Sequence, residues 1–272
     1  MIHSLRIKIY QPTAHFRLPF AYQRRHTYPL PPYSTVIGFL CNLLGIDHQG
    51  NEIFNKLKSC KLSVSGRFGA KTTEYIWFRN LSKKAHVKYF GAVNNRIKNG
   101  EVQHIGGQSP MRIDVLDDNE LNIHIAQKDG KTEFLKEIKE NLYNPQNRLE
   151  VLHLGRAEDW VVFNDVDIVE LNISEKHKNY GHFFWIPQEN WQSESELEGT
   201  SFDKAEGLFY NLPVFATIKD YDKTYNRHGQ RSFSYLRVKL NDGAIKGLTY
   251  YLDKDKSGNE IPVFFADLSK SN

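Results

Sequence analysis

At the start of the chain Leu5, Ile7 and Ile9 interleave with Arg6, Lys8 and Tyr10, the period of two that a strand shows when one face is buried and the other is polar. After a proline-rich approach, Val36, Ile37, Leu40, Cys41, Leu43 and Leu44 recur at helical spacing, with Ser34 or Thr35 placed to cap the start and Gly45 to end it. Alternation returns over Lys61 to Phe68: Leu62, Val64 and Phe68 occupy one side, and Lys61, Ser63, Ser65 and Arg67 the other. Tyr75 to Phe78 adds an aromatic, β-prone run.

The stretch from Ser82 to Pro110 is basic and hydrophilic. Its short β-prone pieces at Val87 to Phe90 and Val102 to Ile105 flank Asn99-Gly100, a turn signal, and predict a protruding hairpin. Arg112 to Leu116, the polar Asp117-Asp118-Asn119-Glu120 and the alternating Leu121, Ile123 and Ile125 predict a second hairpin. Phe134, Leu135, Ile138 and Leu142 mark a helix ended by Asn144-Pro145, and Val161 to Ile173 is strand-like. This order is an elaborated βαββαβ plan, which predicts an α+β, ferredoxin-like (RRM-like) domain over 1–175 with a thumb insertion at about 82–110. That plan serves many functions and decides none of them. Residues 176–272 read as a small β-rich C-terminal lobe, with strands expected at Phe209 to Ile218, Ser232 to Leu240 and Leu248 to Leu252.

The net charge of +4 hides an asymmetry. Residues 1–115 hold 17 Lys and Arg against 5 Asp and Glu, a net of +12, and the remainder nets −8. A basic half suggests a polyanion as ligand, and an acidic half suggests a protein partner or plain solvation. No apolar run reaches the roughly 18 residues of a membrane span, and no secretory signal opens the chain, so a cytoplasmic protein with no membrane contact is expected. Cys41 and Cys60, the only cysteines, form neither a disulfide framework nor a metal site, and no metal or cofactor is expected.

The chain has 11 histidines and 14 tyrosines, yet it carries no phosphate-binding loop, dinucleotide fingerprint, zinc-protease motif or nucleophile elbow. Gly66-Arg67-Phe68-Gly69 matches the backbone-clamping glycine pair of some RNA-binding domains but lies in strand context, so it reads as a strand end. The most informative stretch is Phe16 to Thr35, which interleaves Arg17, Arg24 and Arg25 with aromatics and contains no carboxylate. Guanidinium forks suit phosphate oxygens, and aromatic faces stack bases at roughly 1–3 kcal/mol each. The stretch runs into a helix N-terminus, where free N–H groups favour phosphate. A proline-rich crossover with solvated arginines fits the same spacing equally well.

Tyr28-Pro29-Leu30-Pro31-Pro32-Tyr33-Ser34-Thr35-Val36-Ile37-Gly38-Phe39-Leu40 resembles the proline-to-helix signature of the CRISPR-associated Cas five family. Leu152-His153-Leu154-Gly155-Arg156-Ala157-Glu158-Asp159-Trp160 is similar to that family's Leu-Gly-Arg-x-Glu motif. The resemblance covers about residues 1–175. It implies a RAMP subunit of a type I (type I-B-like) Cascade complex, with a palm and a thumb that cap the 5′ handle of the crRNA. Its partners would be the backbone Cas seven subunits and the large Cas eight subunit, and target DNA near the PAM stays open as a further contact. The resemblance sets Arg17, Tyr22, Arg24, Arg25, Ser34 and Thr35 toward the handle and Lys83, Lys84, Lys88 and Arg96 on the thumb. His26 and Arg67 complete the candidate RNA contacts. Arg156 and Glu158 are expected to be structural, as an ion pair that orients the turn.

No catalytic residue is expected. The main alternative is a metal-independent endoribonuclease that cuts CRISPR repeat RNA, as some family members do with a Tyr, Lys and His cluster. Tyr22, His26 and Lys83 are the residues to imagine in those roles. A generic ferredoxin-like protein-interaction module is the other alternative, and it leaves the basic first half unexplained.

Overall fold

A computed structural model describes residues 2–19, 24–79, 97–98, 101–102, 108–188, 202–218 and 231–271. The first strand, β1 (Ile2–Ala14), is paired on both sides. Three short pieces follow, β2 (Phe16–Arg17), β3 (Arg24–Arg25) and β4 (Thr27–Tyr28), then helices α1 (Tyr33–Leu43) and α2 (Glu52–Ser59). Strands β5 (Cys60–Arg67) and β6 (Ala70–Arg79) both lie antiparallel to one long strand, β9 (Gln108–Gln127). Between β6 and β9, β7 (Ile97–Lys98) and β8 (Glu101–Val102) pair antiparallel; the strand piece expected at Val87 to Phe90 and the turn residues Asn99-Gly100 lie outside the described residues. Helix α3 (Glu133–Tyr143) and strand β10 (Val162–Ser174) complete the first 175 residues.

Within this mixed α+β molecule the central strand order is β5-β9-β1-β10. The connection β1 to β5 runs through α1 and α2, and that from β9 to β10 runs through α3. Leu5, Ile7, Ile9, Leu62, Val64, Leu121, Ile123 and Ile125 face the helices and share one core with Val36, Leu40, Leu135 and Ile138. The C-terminal strands join the same sheet at both flanks. On one side β12 (Phe183–Pro187), β14 (Arg231–Asn241) and β13 (Leu208–Ile218) extend beyond β5. On the other, β16 (Tyr250–Lys254) and β17 (Glu260–Val263) extend beyond β10, and the short β18 (Ala266–Asp267) pairs with β5. Strands β11 (Lys178–Asn179) and β15 (Ala244–Ile245) form a separate small pair.

Three expectations need correction. The polar side of the β1 and β5 pattern is not solvated, because residues 250–268 lie over it. Arg6 is buried and bonds Asp253 at 2.8 and 2.9 Å and Asp165 at 2.6 Å, Lys61 pairs with Asp267, and the Ser63 hydroxyl accepts the Phe264 N–H at 3.0 Å. Alternation reports which side chains share a face, not what later chain covers it. Second, Asp117 to Glu120 is not a hairpin turn: β9 runs straight through it, with Asp118 at φ 59° and Asn119 buried, its amide donating to the Leu116 carbonyl at 3.0 Å. The polar run is absorbed as an irregularity opposite Phe68-Gly69, where β5 passes into β6. Third, Pro32 is the N-cap of α1 and no side chain caps it, so Ser34 and Thr35 lie within its first turn. Gly45 does follow the helix, at φ +70°. The short α2, capped by Asn51, escaped notice because its eight residues bury only Phe54 and Leu57.

The buried histidines set an acid limit. Burial pushes His124 down, and burial with the charges of Arg156 and Arg25 does the same for His15. A group depressed on folding takes its proton first in the unfolded chain, so its stability is complete above the ordinary histidine value, about 6.5, and drains away as pH falls below it. Thermal unfolding should give a lower Tm at about pH 5.5 than at about pH 7.5, and an unchanged Tm would contradict the neutral buried imidazoles.

Candidate nucleic-acid interface

The arm between β1 and α1 folds back on itself. β2 pairs with β4, Phe16 opposite Tyr28 and Arg17 opposite Thr27, and the Leu18 N–H donates to the His26 carbonyl at 3.0 Å. The prolines then lead into α1 under a lid of aromatics, where the Trp185 indole donates to the Pro31 carbonyl at 3.1 Å and Tyr28 meets Trp185 and Tyr210 edge-on. Phe16, Tyr28 and Tyr33 are core residues, so these arm rings are closed to bases. Tyr22 lies outside the described residues, as do Lys83, Lys84, Lys88 and Arg96 of the thumb.

Among the described residues of the arm, those left exposed are cationic. Arg17 and Arg24 are exposed, while Arg25 is half-buried with its guanidinium 5.0 Å from the centre of the Phe78 ring. β3 runs parallel to β9, with Arg24 opposite Arg112, and Arg112 is in turn opposite Tyr75 on β6. Cross-strand partners project to the same side. One face of this three-strand ribbon therefore carries Arg24, Arg112, Tyr75 and, two residues along, Trp77. The two rings are 62% and 59% exposed and meet edge-on at 6.4 Å. Such a face joins phosphate-binding forks to stacking surfaces. Sequence reasoning noted the aromatic run but missed these roles. The signal was present in Lys71, Thr73, Tyr75 and Trp77, where large rings fall on the polar side of an alternating strand.

Beside the ribbon, the buried Asp114 carboxylate accepts the Thr73 hydroxyl at 3.2 Å and lies 3.0 Å from His26 Nδ1 and 3.7 Å from the Lys71 ammonium. Burial pushes Asp114 up, but the His26 bond, the Lys71 charge and the Thr73 hydroxyl together hold it below the ordinary carboxylate value. This is a carboxylate-oriented imidazole with its side chain 45% exposed.

The second sequence motif locks the root of the arm. Asp159, wholly buried, accepts the His15 N–H at 3.0 Å, the Arg156 N–H at 2.7 Å and the Arg156 guanidinium at 2.8 Å. Arg156 also reaches Glu74 of β6 at 3.1 Å. The expected structural role of Arg156 thus runs mainly through Asp159; Glu158 is exposed, 3.5 Å away. Gly155 sits at φ +116°, and a Cβ there would stand 2.7 Å from Asp159 Oδ2 and 3.0 Å from the His15 carbonyl. Replacing Gly155 by Ala should therefore cost at least about 2 kcal/mol, readable as a lower denaturant midpoint. An unchanged midpoint would mean that the loop relaxes freely.

The other expected contacts separate from this face. Ser34 and Thr35 are half-buried in α1, with the Thr35 N–H occupied by the Pro32 carbonyl at 2.9 Å. Arg67 is held by Glu120 at 2.9 and 3.0 Å, on the face of the central strands turned away from the helices. Among the described residues no cluster of His, Cys, Asp and Glu suits a metal ion, and no helix is long and apolar enough to cross a membrane.

The fold has a solved counterpart. A chain of a "CRISPR RNA-guided surveillance complex" superposes with a TM-score of 0.53 at 12% identity, covering 89% of this chain and 90% of that one. A "CRISPR protein from Archaeoglobus fulgidus" matches over 97% of this chain and 100% of its own, at 12% identity and a TM-score of 0.40. No curated protein matches the sequence. A family model described as "CRISPR-associated protein (Cas_Cas5)" matches residues 4–246, nearly the whole chain and both motifs, and the protein belongs to that family.

Proposed function

We propose that this protein is a non-catalytic subunit of a type I, I-B-like Cascade complex, and that it binds and caps the 5′ handle of the crRNA. The observation that carries the reading is the ribbon face on which Arg24 and Arg112 flank the exposed Tyr75 and Trp77. Phosphates would be neutralised by Arg17, Arg24 and Arg112, and bases would stack on the two rings. Handle capping, the Cas seven and Cas eight contacts and the thumb roles of Lys83, Lys84, Lys88 and Arg96 follow from the family resemblance. The order β5-β9-β1-β10 with a helical crossover in each half supports the ferredoxin-like RAMP reading. The family match and the likeness to a chain of an RNA-guided surveillance complex support an RNA-bound assembly.

A second reading is favoured by one observation, the His26–Asp114 pair. A carboxylate that orients Nδ1 leaves Nε2 to act as a general acid or base toward a ribose hydroxyl. Incubating the purified protein with CRISPR repeat RNA in excess chelator separates the two. Intact, bound RNA is expected; cleavage that disappears in His26→Ala would make the protein a metal-independent nuclease.

A further inference from the structure

The face of the central strands turned away from the helices is only partly covered. Residues 250–268 bury its Arg6 and Lys61 end, but around Lys8, Arg67 and Asn122 a cleft of about 380 Å³ remains. Its floor is β1, β5 and β9, and its walls are Lys178 to His182 and the turn Gly258 to Ile261.

Two features distinguish this cleft from a gap between strands. Asn122 on its floor is only 7% exposed, yet its carboxamide has no hydrogen-bond partner among the described residues. The polar atoms of this carboxamide are open to the cleft and available to whatever enters it. The charges are also graded from inside to outside. Within the cleft Lys8 is paired with Asp255 and Arg67 with Glu120. At the rim Lys176, Lys178 and Lys254 all converge on the single carboxylate of Glu260, at 2.7, 3.0 and 3.8 Å, leaving cationic charge uncompensated. A balanced, amide-bearing interior under a basic rim suits a ligand with a neutral hydrogen-bonding head and an anionic tail. Asn164 and Asn259 add further carboxamides, and Tyr180 and His182 add ring surfaces along one wall. A carboxamide matches the adjacent donor and acceptor of an adenine edge, and the cleft falls within the usual range for small-ligand sites, roughly 300–1,000 Å³.

We propose that this cleft is a nucleotide pocket in which an adenine base pairs with the Asn122 carboxamide while its phosphate rests on the Lys176, Lys178 and Lys254 rim. The pocket lies on the other side of the sheet from the helices and is independent of the arm, so it stands or falls separately from the handle reading.

The test uses the full chain labelled with 15N. Adenosine monophosphate should shift the Asn122 side-chain amide signals saturably and bind at least about fivefold more tightly than uridine monophosphate. Absence of a shift at Asn122, or equal affinity for the two, would overturn the proposal. Asn122→Leu, with folding checked by thermal unfolding, should weaken adenosine monophosphate binding at least about tenfold, and unchanged binding would overturn it. If that variant fails to fold, the wild-type amide signals still decide. The source of the base is read in a variant with Arg17, Arg24 and Arg112 changed to Ala. Tighter binding of oligoadenylate than of an abasic strand of equal length supports the pocket and assigns it to a nucleic-acid strand. Binding of the mononucleotide alone supports the pocket and assigns it to a free nucleotide.

Discussion

Asp253→Ala should destabilise the protein by about 3–5 kcal/mol, the largest loss expected from any single change considered for this fold. Its carboxylate is 1% exposed and accepts two bonds from Arg6, at 2.8 and 2.9 Å, and stands 3.0 Å from His124 Nε2. Removing it leaves the Arg6 guanidinium, itself nearly inaccessible, with only Asp165. It also strands the imidazole of His124, which burial has already made costly to charge. A buried guanidinium stripped of two of its bonds, beside a stranded imidazole, costs more than the loss of a well-made pair, since the pair roughly breaks even against its own desolvation. Substituting Arg6 by Met together with Asp253 by Leu should therefore recover much of the deficit. Equilibrium urea denaturation of the two variants checks both points: a single-variant loss below about 1 kcal/mol would show that water reaches the site.

Changing Arg17, Arg24 and Arg112 together to Ala should lower affinity for a repeat-derived single strand about a hundredfold near 0.1 M salt. All three are exposed, and none has an ion-pair partner among the described residues. Each phosphate neutralised on a single strand contributes roughly 0.7 to the slope of log affinity against log salt. Binding by about five cations predicts a wild-type slope near −3.5, and the triple variant should bring it near −1.4. Fluorescence anisotropy across a salt series measures both quantities. A slope that stays put while affinity falls would mean that the arginines act through the fold of the arm. Loss of affinity for every sequence alike is the expected pattern, because these side chains meet phosphates and not base edges.

Much of the frame could be read from the sequence because it is encoded locally. The alternation of Leu5, Ile7 and Ile9, the helical spacing of Phe134, Leu135, Ile138 and Leu142, and the β-prone runs ending near Ile218, Leu240 and Leu252 each declare an element without reference to the rest of the chain. What escaped was set by distant segments. That Arg6 is an interior residue depends on Asp253, some 247 positions away, and no period in β1 can announce it. Asp117 to Glu120 has the composition of a turn, but the pairing partners β1, β5 and β6 hold the residues around Asp118 in one continuous strand. The candidate interface divided in the same way. The arginines of the arm stood out by composition, whereas Arg112 joins them only through the parallel pairing of β3 with β9. Among the arm aromatics, Tyr28 is closed to stacking because Trp185 and Tyr210, both from the C-terminal part, close over it.

The 20 residues of β9 belong to two bodies at once. Fully extended they span about 65 Å; the inner half is laced between β1 and β5, and the outer half forms a ribbon with β6. The outer ribbon is in this sense a spar continuous with the hull. Force applied near its tip passes into the palm through ladder hydrogen bonds, with no loop to absorb it. The irregularity at Phe68-Gly69 and Asp118 interrupts that ladder between hull and spar.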